Sequence, residues 1–294
     1  MDGSIHKSVL LNETIDGLNL GQEPLVLDAT FGGGGHSREV LRRFPKAKVI
    51  ALDQDKAVDR EKNPNISFHN ENFRNLDKVL GAEKVDGIIF DLGLSSDQLT
   101  PREGMSGRGF SFMRNEPLLM TMKENPSSED LTAMDVVNTW SEDSLRKIIE
   151  GYGEEKFARR IARGIVEGRE KGELKTTHDL VGVIEKSVPG KYRTGRIHCA
   201  TRTFQAIRIA VNDELGAIEE ALPKAFESLK KGGRISIISF HSLEDRIAKR
   251  FFRQLEEEGK AKRINKKPIT ATIEEAKENP RSRSAKLRIL EKII

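Results

Sequence analysis

Val26-Leu27-Asp28-Ala29-Thr30-Phe31-Gly32-Gly33-Gly34-Gly35-His36-Ser37 decides how this chain is read. An apolar run ends in an acid, four glycines follow, and a helical stretch begins near Ser37. That order is a strand, a tight turn and a helix N-terminus. Glycine lets a backbone turn sharply and come close to a ligand. The usual phosphate loops do not fit. A dinucleotide fingerprint needs G-x-G-x-x-G, and counting from Gly32 or Gly33 its last place falls on Ser37 or Arg38. A P-loop needs Gly-Lys-Ser/Thr, where this chain has Gly35-His36-Ser37. The glycines therefore point to a nucleoside ligand without a pyrophosphate to cradle.

Strands and helices alternate around this turn. Val9 to Leu20 reads as an entry helix, Leu25 to Ala29 as a buried strand, and Ser37 to Phe44 as a helix closed by Pro45. Further strands are expected at Lys48 to Leu52, ending at Asp53, at Ile66 to Phe68, and at Val85 to Phe90, ending at Asp91. This spacing argues a parallel sheet with helices on both faces. The pattern breaks over residues 97–130, and Thr132 to about Glu185 is helical, with an amphipathic helix over Glu154 to Val166. Lys186 to Thr203 reads as a loop or short helices. The α/β text then resumes. Phe204 to Leu229 is a long helix that Pro223 kinks or splits, and Gly232-Gly233 is its C-cap. A strand over Arg234 to Phe240, a helix over Ser242 to Glu257, a surface excursion over Glu256 to Arg283 and an edge strand over Leu287 to Ile294 complete the chain. The expected architecture is an α/β domain over 1–104 and 204–294 with an inserted helical subdomain over 105–203.

Composition suits that reading. The 294 residues are 36% hydrophobic and 33% charged. No apolar run approaches the ~18 residues of a membrane span, and Met1 to Glu13 lacks a signal-peptide layout. The one cysteine, Cys199, allows no internal disulfide and no zinc site of several cysteines. A reducing cytoplasm is expected, and no metal site is assigned. Net charge is +4, unevenly spread. Residues 1–104 carry 13 Lys/Arg against 17 Asp/Glu, residues 156–208 carry 13 against 5, and residues 200–294 carry 21 against 14. A basic rear half suits a polyanionic partner. Arg159, Arg160, Arg163, Lys191, Arg193 and Arg196 are the candidate phosphate contacts.

In an open α/β sheet, ligands sit at the carboxyl ends of the strands. Asp28, Asp53 and Asp91 end strands one, two and four, and His241 follows strand five. An acid after strand two can accept both hydroxyls of a ribose. S-adenosylmethionine fits: it has a ribose and an adenine but no phosphate.

Several blocks make a specific resemblance. They are His6-Lys7-Ser8-Val9-Leu10-Leu11 with Glu13, the Asp28 to Ser37 turn, and Asp91-Leu92-Gly93-Leu94-Ser95-Ser96 with Gln98. They continue with Arg108-Gly109-Phe110-Ser111-Phe112, Tyr152-Gly153-Glu154-Glu155 and Ala200-Thr201-Arg202-Thr203-Phe204-Gln205-Ala206-Ile207-Arg208-Ile209. Ser239-Phe240-His241-Ser242-Leu243-Glu244-Asp245-Arg246 and Asn279-Pro280-Arg281-Ser282-Arg283 close the set. The chain resembles the RsmH (MraW) family of bacterial 16S rRNA (cytosine-N4)-methyltransferases almost end to end. The resemblance implies a class I (Rossmann-like) methyltransferase sheet with a helical domain inserted after strand four. It implies S-adenosyl-L-methionine contacts at Gly34, Gly35, His36, Asp53, Phe73, Asp91 and Gln98, and a cytosine of 16S rRNA in the small ribosomal subunit, near the decoding centre, as substrate. One segment departs. The family commonly reads Gly-Pro-Leu-Asp-Met-Arg-Met, and here Glu116-Pro117-Leu118-Leu119-Met120-Thr121-Met122 stands instead.

The proposed transfer needs a group to accept the amine proton. Many amino-methyltransferases place an Asp/Asn/Ser-Pro-Pro-aromatic motif after strand four, which this chain lacks. Asp91, Ser95 and His241 are the candidates. His241 has a second reading, beside a helix N-cap formed by Ser242 with Asp245. Phe110 or Phe112 is placed to stack on a flipped base or to pack in a core. Two rival functions stay open. One is a nicotinamide oxidoreductase, which the missing G-x-G-x-x-G disfavours. The other is a ribosome-assembly factor that keeps fold and RNA binding without activity, for which Leu119 and Thr121 speak.

Overall fold

The computed structural model describes residues 8–55, 63–94, 99, 107–123 and 126–294. In chain order the elements are α1 (Leu11–Leu18), β1 (Leu25–Asp28), α2 (Gly35–Arg43), β2 (Lys48–Leu52), β3 (Ile66–His69), a 3-10 turn (Phe73–Asn75), α3 (Leu76–Leu80) and β4 (Val85–Asp91). Helices follow: α4 (Ala133–Thr139), α5 (Glu142–Gly151), α6 (Ala158–Arg169), α7 (Thr177–Ser187), α8 (Gly190–Arg193), α9 (Thr201–Asn212) and α10 (Glu214–Ser228). The chain closes with β5 (Leu229–Ser239), α11 (Ser242–Glu257), β6 (Ala261–Arg263), β7 (Ile269–Thr270), α12 (Ile273–Glu278), a 3-10 turn (Pro280–Ser284) and β8 (Lys286–Lys292).

Two compact units result: Met1–Gly93 with Leu215–Ile294, and Leu94–Glu214. The changeovers lie about ten residues outside the expected limits of 105 and 203. In the first unit the strand order is β3-β2-β1-β4-β5-β8-β6, with β7 also paired to β8. Strands β1 to β5 are parallel to one another, and β8 runs antiparallel to β5, β6 and β7. This is the Rossmann-like α/β sheet that the alternation predicts. Both faces are covered, so successive residues of one strand enter different cores. Leu27, Ile50 and Ile88 pack toward α10 and α11 with Ile218, Leu222, Phe226 and Phe252. Val26, Val49 and Ile89 pack toward α1 and α2 with Ile15, Leu18 and Val40. That is why the strands read as unbroken apolar runs.

Three expectations are corrected here. The strand near Leu287 is not an edge: β8 sits between β5 and β6, and Leu287 to Leu290 are buried on both faces. An alternating string records which faces are covered, not which strands lie alongside. Gly232-Gly233 is not a helix C-cap. Lys230 to Gly233 form an irregularity inside β5, between the pairs Val85↔Leu229 and Gly87↔Arg234, with Gly232 at φ +81°. The expected long helix is two. It breaks at Asp213, whose φ of +47° ends α9, while Pro223 lies inside α10.

The second unit is helical. Its core joins Val136 and Val137 of α4, Leu145 and Ile149 of α5, Ile161 and Ile165 of α6, Leu180 and Ile184 of α7, and Phe204 and Ile207 of α9. Thr132 and Thr176 cap α4 and α7, each in a reciprocal box with the Asp three residues on. Among the described residues no helix is long and apolar enough to cross a membrane.

Inside the first unit a buried ion pair ties β8 to α11. Arg288 is 5% exposed, and its guanidinium meets Asp245 at 2.7 and 3.2 Å. Arg288→Ala removes this guanidinium and leaves Asp245 the more distant Lys286 ammonium at 3.6 Å. It should lower stability by about 3 kcal/mol, because a buried charge loses its partner. The pair replaced together, Asp245→Leu with Arg288→Met, should recover most of that loss. Urea denaturation of both variants checks this, and an unshifted midpoint for Arg288→Ala overturns it.

Candidate active site

The carboxyl ends of β1, β2, β4 and β5 lie side by side, and each carries a polar group. Asp28, at the end of β1, is 1% exposed. It accepts the Ser37 hydroxyl at 2.6 Å and the Thr30 amide at 3.2 Å, so the strand end is tied to the first turn of α2. Burial holds its carboxyl above the usual carboxylate range. The glycine turn then closes on itself. Gly32 and Gly34 sit at φ +50° and +70°, and the Gly34 amide donates to the Phe31 carbonyl at 2.7 Å. A Cβ on Gly34 would stand 2.6 Å from Phe31 Cζ, and one on Gly35 would stand 1.9 Å from Ser8 Oγ. These glycines are thus required by the chain's approach to itself, before any ligand is considered. His36 is 5% exposed, with Nε2 3.2 Å from the Val9 carbonyl and Nδ1 3.8 Å from Asp91 Oδ2. The carbonyl only accepts, so Nε2 carries the hydrogen there.

Asp53 bridges strand ends. Its Oδ2 accepts the Gly32 amide at 2.7 Å and its Oδ1 accepts the Asp55 amide at 2.8 Å. Its own amide donates to the His69 carbonyl at 3.2 Å, and Asn70 Nδ2 donates to its carbonyl at 2.8 Å. Burial pushes the Asp53 carboxyl up to about 6, against the pull of the two amides. Phe73 follows β3, half-buried, and meets Phe90 edge-on with ring centres 5.7 Å apart.

At the end of β4 the Asp91 amide donates to Thr30 Oγ1 at 2.6 Å, and Asp91 Oδ1 accepts the Gly93 amide at 3.3 Å. The Asp91 side chain is 19% exposed. After β5, His241 is itself the N-cap of α11, with Glu244 at the third helical place, so the cap lies one residue before the expected Ser242–Asp245 pair. Glu244 Oε2 accepts the Phe240 and His241 amides at 2.7 and 3.2 Å. His241 Nε2 stands 2.9 Å from Glu244 Oε1 but out of line for a hydrogen bond. Ser95 and Gln98 lie outside the described residues. Asp28, His36, Asp53, Asp91 and His241 are therefore on one rim, at the ends of adjacent strands. Thr30 and Glu244 belong to the same rim and were not singled out from sequence. Glu244 had a signal, being three residues after a possible cap, whereas Thr30 had none.

The helical unit carries the candidate cations. Arg159, Arg160, Arg163, Lys191, Arg193 and Arg196 are all exposed. Arg163 is spent on Glu167 at 2.8 Å, and Arg160 lies 5.9 Å over the Phe157 ring. Arg159 shares with Lys156, Glu150, Glu154 and Glu155 the wall of an open cleft of about 390 Å³. Glu155 is buried and accepts the Tyr192 hydroxyl at 2.6 Å; burial and that carboxylate push the phenol up to about 12. Of the two phenylalanines, Phe110 is 8% exposed and belongs to the core, while Phe112 is half-buried. In the divergent segment Thr121 is buried and Leu119 half-buried. Glu116 is buried too and accepts the Gly109 amide at 3.0 Å.

The model of the MraW methylase family matches residues 3–293. A ribosomal RNA small subunit methyltransferase H of Clostridium botulinum (strain Kyoto / Type A2) is 46% identical over 98% of this chain and 99% of that one. A ribosomal RNA small subunit methyltransferase H of Ruminiclostridium cellulolyticum is 45% identical, again over 98% and 99%.

The turn geometry separates two glycines. Gly34→Ala adds a left-handed alanine and a clash with the Phe31 ring, whereas at Gly32 the nearest atom is 3.9 Å away. Gly32→Ala should cost about 1 kcal/mol, the strain of the backbone alone, and Gly34→Ala distinctly more, about 2–3 kcal/mol. Chemical denaturation of the two variants decides; equal losses overturn the packing account.

Proposed function

The chain belongs to the MraW methylase family, and on that premise we propose that it moves a methyl group from S-adenosylmethionine to the exocyclic N4 of a cytosine. The cytosine is in 16S rRNA of the small ribosomal subunit, near the decoding centre, and the setting is cytoplasmic. The observation that carries this reading is the rim of Asp28, Asp53 and Asp91 around a glycine turn that has neither phosphate-loop pattern.

The residues present fit the donor. Each Asp53 oxygen accepts one amide and keeps a lone pair, so the carboxylate can take both hydroxyls of a ribose. Gly34 and Gly35 would bring bare backbone to the methionine end, and the buried His36 follows them at the start of α2. Phe73, anchored on Phe90, offers a half-buried ring to the adenine. The acids give a negative field suited to a sulfonium. When bound, the cofactor supplies an electrophilic methyl on a positively charged sulfur.

The remaining chemistry falls to alignment and to one proton acceptor. The cytosine amine is a poor nucleophile because its lone pair is delocalised into the ring. Asp91, held at its amide by Thr30, accepts an N–H of that amine and turns the lone pair toward the methyl. Transfer of the methyl to the amine nitrogen would leave the donor as a neutral thioether, and the Asp91 carboxylate would take the proton that the nitrogen gives up. His241 is less suited, since both ring nitrogens face Glu244. Arg159, Arg160, Lys191, Arg193 and Arg196 hold the RNA backbone, and Arg163 contributes less because of Glu167.

Incubation with methyl-labelled S-adenosylmethionine and unmethylated small subunits, followed by nucleoside analysis, tests the reading. Label is expected in N4-methylcytidine, and Asp91→Asn should slow its appearance by about 10² or more at saturating cofactor. Label on another atom overturns the assignment. Binding to subunits without any transfer favours the assembly-factor reading. A second expectation concerns pH. With a carboxyl near 6, Asp53 is ionised at pH 7.5 and mostly protonated at pH 5. A protonated acid loses acceptor capacity, so the cofactor Kd should rise about tenfold as pH falls between those values. Asp53→Asn should bind weakly with no such step. Calorimetry across the range measures both, and a flat wild-type profile overturns the ribose role.

A further inference from the structure

The proposed function leaves open how the helical unit receives RNA. Phe112 and His198 answer part of this. Their rings stack with centres 4.7 Å apart and planes 29° from parallel, and Phe112 is braced edge-on by Phe204 at 5.1 Å. His198 is also held at one ring nitrogen, where Nδ1 accepts the Ala200 amide at 3.2 Å, and its Nε2 lies 3.7 Å from Glu185. Yet its side chain is 39% exposed. The chain neighbours of both rings are unusual. Met113 is 81% exposed and Ile197 56% exposed, two of the few large apolar side chains in the described surface that face solvent. Arg193 and Arg196 stand on the same segment, exposed, with no ion pair among the described residues.

We propose that this ring pair, with Met113 and Ile197 beside it and Arg193 and Arg196 next to it, is a stacking platform for an unpaired base of the substrate RNA. The inference rests on the RNA reading above and adds the form in which the RNA is held. A pre-fixed aromatic face with apolar flanks gains by taking the face of a base, at little cost in side-chain freedom. The adjacent arginines neutralise the backbone of the same strand. A-form duplex buries its base faces within the stack, so such a platform selects a single-stranded or splayed-out segment. Within the helical unit this separates two tasks, charge neutralisation by the arginines and recognition of single-strandedness by His198 and Phe112.

The test uses the full chain and two probes: a single-stranded oligocytidylate carrying one 2-aminopurine, and an RNA duplex of equal length. His198→Asn keeps an acceptor for the Ala200 amide and removes the ring, and His198→Phe restores a ring. The single strand should bind His198→Asn about tenfold more weakly, with the salt slope unchanged and the 2-aminopurine quenching reduced. His198→Phe should recover both affinity and quenching. Arg193→Ala with Arg196→Ala should instead flatten the salt slope by about two. Duplex affinity and thermal midpoint should be alike in wild type and His198→Asn. Wild-type affinity in His198→Asn, or no recovery in His198→Phe, overturns the platform while leaving the RNA reading in place. Absence of any salt-dependent binding by the wild type to either probe overturns the RNA reading and the platform together.

Discussion

The hydrogen bond from the Gly32 amide to Asp53, 2.7 Å long, is the constraint on which the site depends. It joins the turn after β1 to the end of β2. The Asp53 amide and carbonyl extend the tie to β3 through His69 and Asn70, and Thr30 extends it to β4 through the Asp91 amide. Each such bond contributes only about 1 kcal/mol net. Together they fix the relative heights of four strand ends, which apolar packing lower in the sheet does not do. The same bond explains why Asp53 is an unusual acid. It must remain buried to reach Gly32, and burial raises its carboxyl toward neutrality.

The two units use charge in opposite ways. In the sheet unit the acids at the rim are buried or half-buried and tied to amides, an arrangement suited to one small cationic ligand. In the helical unit the six candidate cations are exposed, and Arg193 and Arg196 have no ion pair among the described residues. The +4 net charge hides this contrast, because it adds the acids of one unit to the cations of the other. Arg163 shows how far a count of cations can mislead. It lies four residues before Glu167, and the pair largely cancels.

Much of the sheet was legible because parallel strands buried on both faces leave unbroken apolar runs, and Asp28, Asp53 and Asp91 could be placed once those runs ended. A helix limit was legible where the cap follows the usual chemistry, as at Thr132, whereas the cap at Thr176 was passed over inside a longer helical reading. The capping residue of α11 was harder to see, since histidine is not among the preferred N-caps. The break at Asp213 was masked by Pro223, the more conspicuous breaker. The irregularity at Gly232-Gly233 depends on which strand lies opposite, and the interior place of β8 depends on two neighbours outside its own stretch of sequence. Thr30 was invisible for the same reason: its partner amide is 61 residues away. Ring contacts such as Phe112 with His198 join residues that no local pattern connects.

The placing of β8 between β5 and β6 also governs the order in which the molecule can be built. Strand β5 finds β4 only after the whole helical unit has been made, and it gains its other neighbour only when the chain has been synthesised through Lys292. Until then β5 presents an unpaired row of amides and carbonyls beside an apolar face. Emergence from the ribosome therefore favours a sequence in which the helical unit consolidates early on local contacts, while the sheet waits. A chain halted before Lys286 would keep the glycine turn and its acids yet expose β5, a surface that other chains can extend and that quality-control factors can recognise.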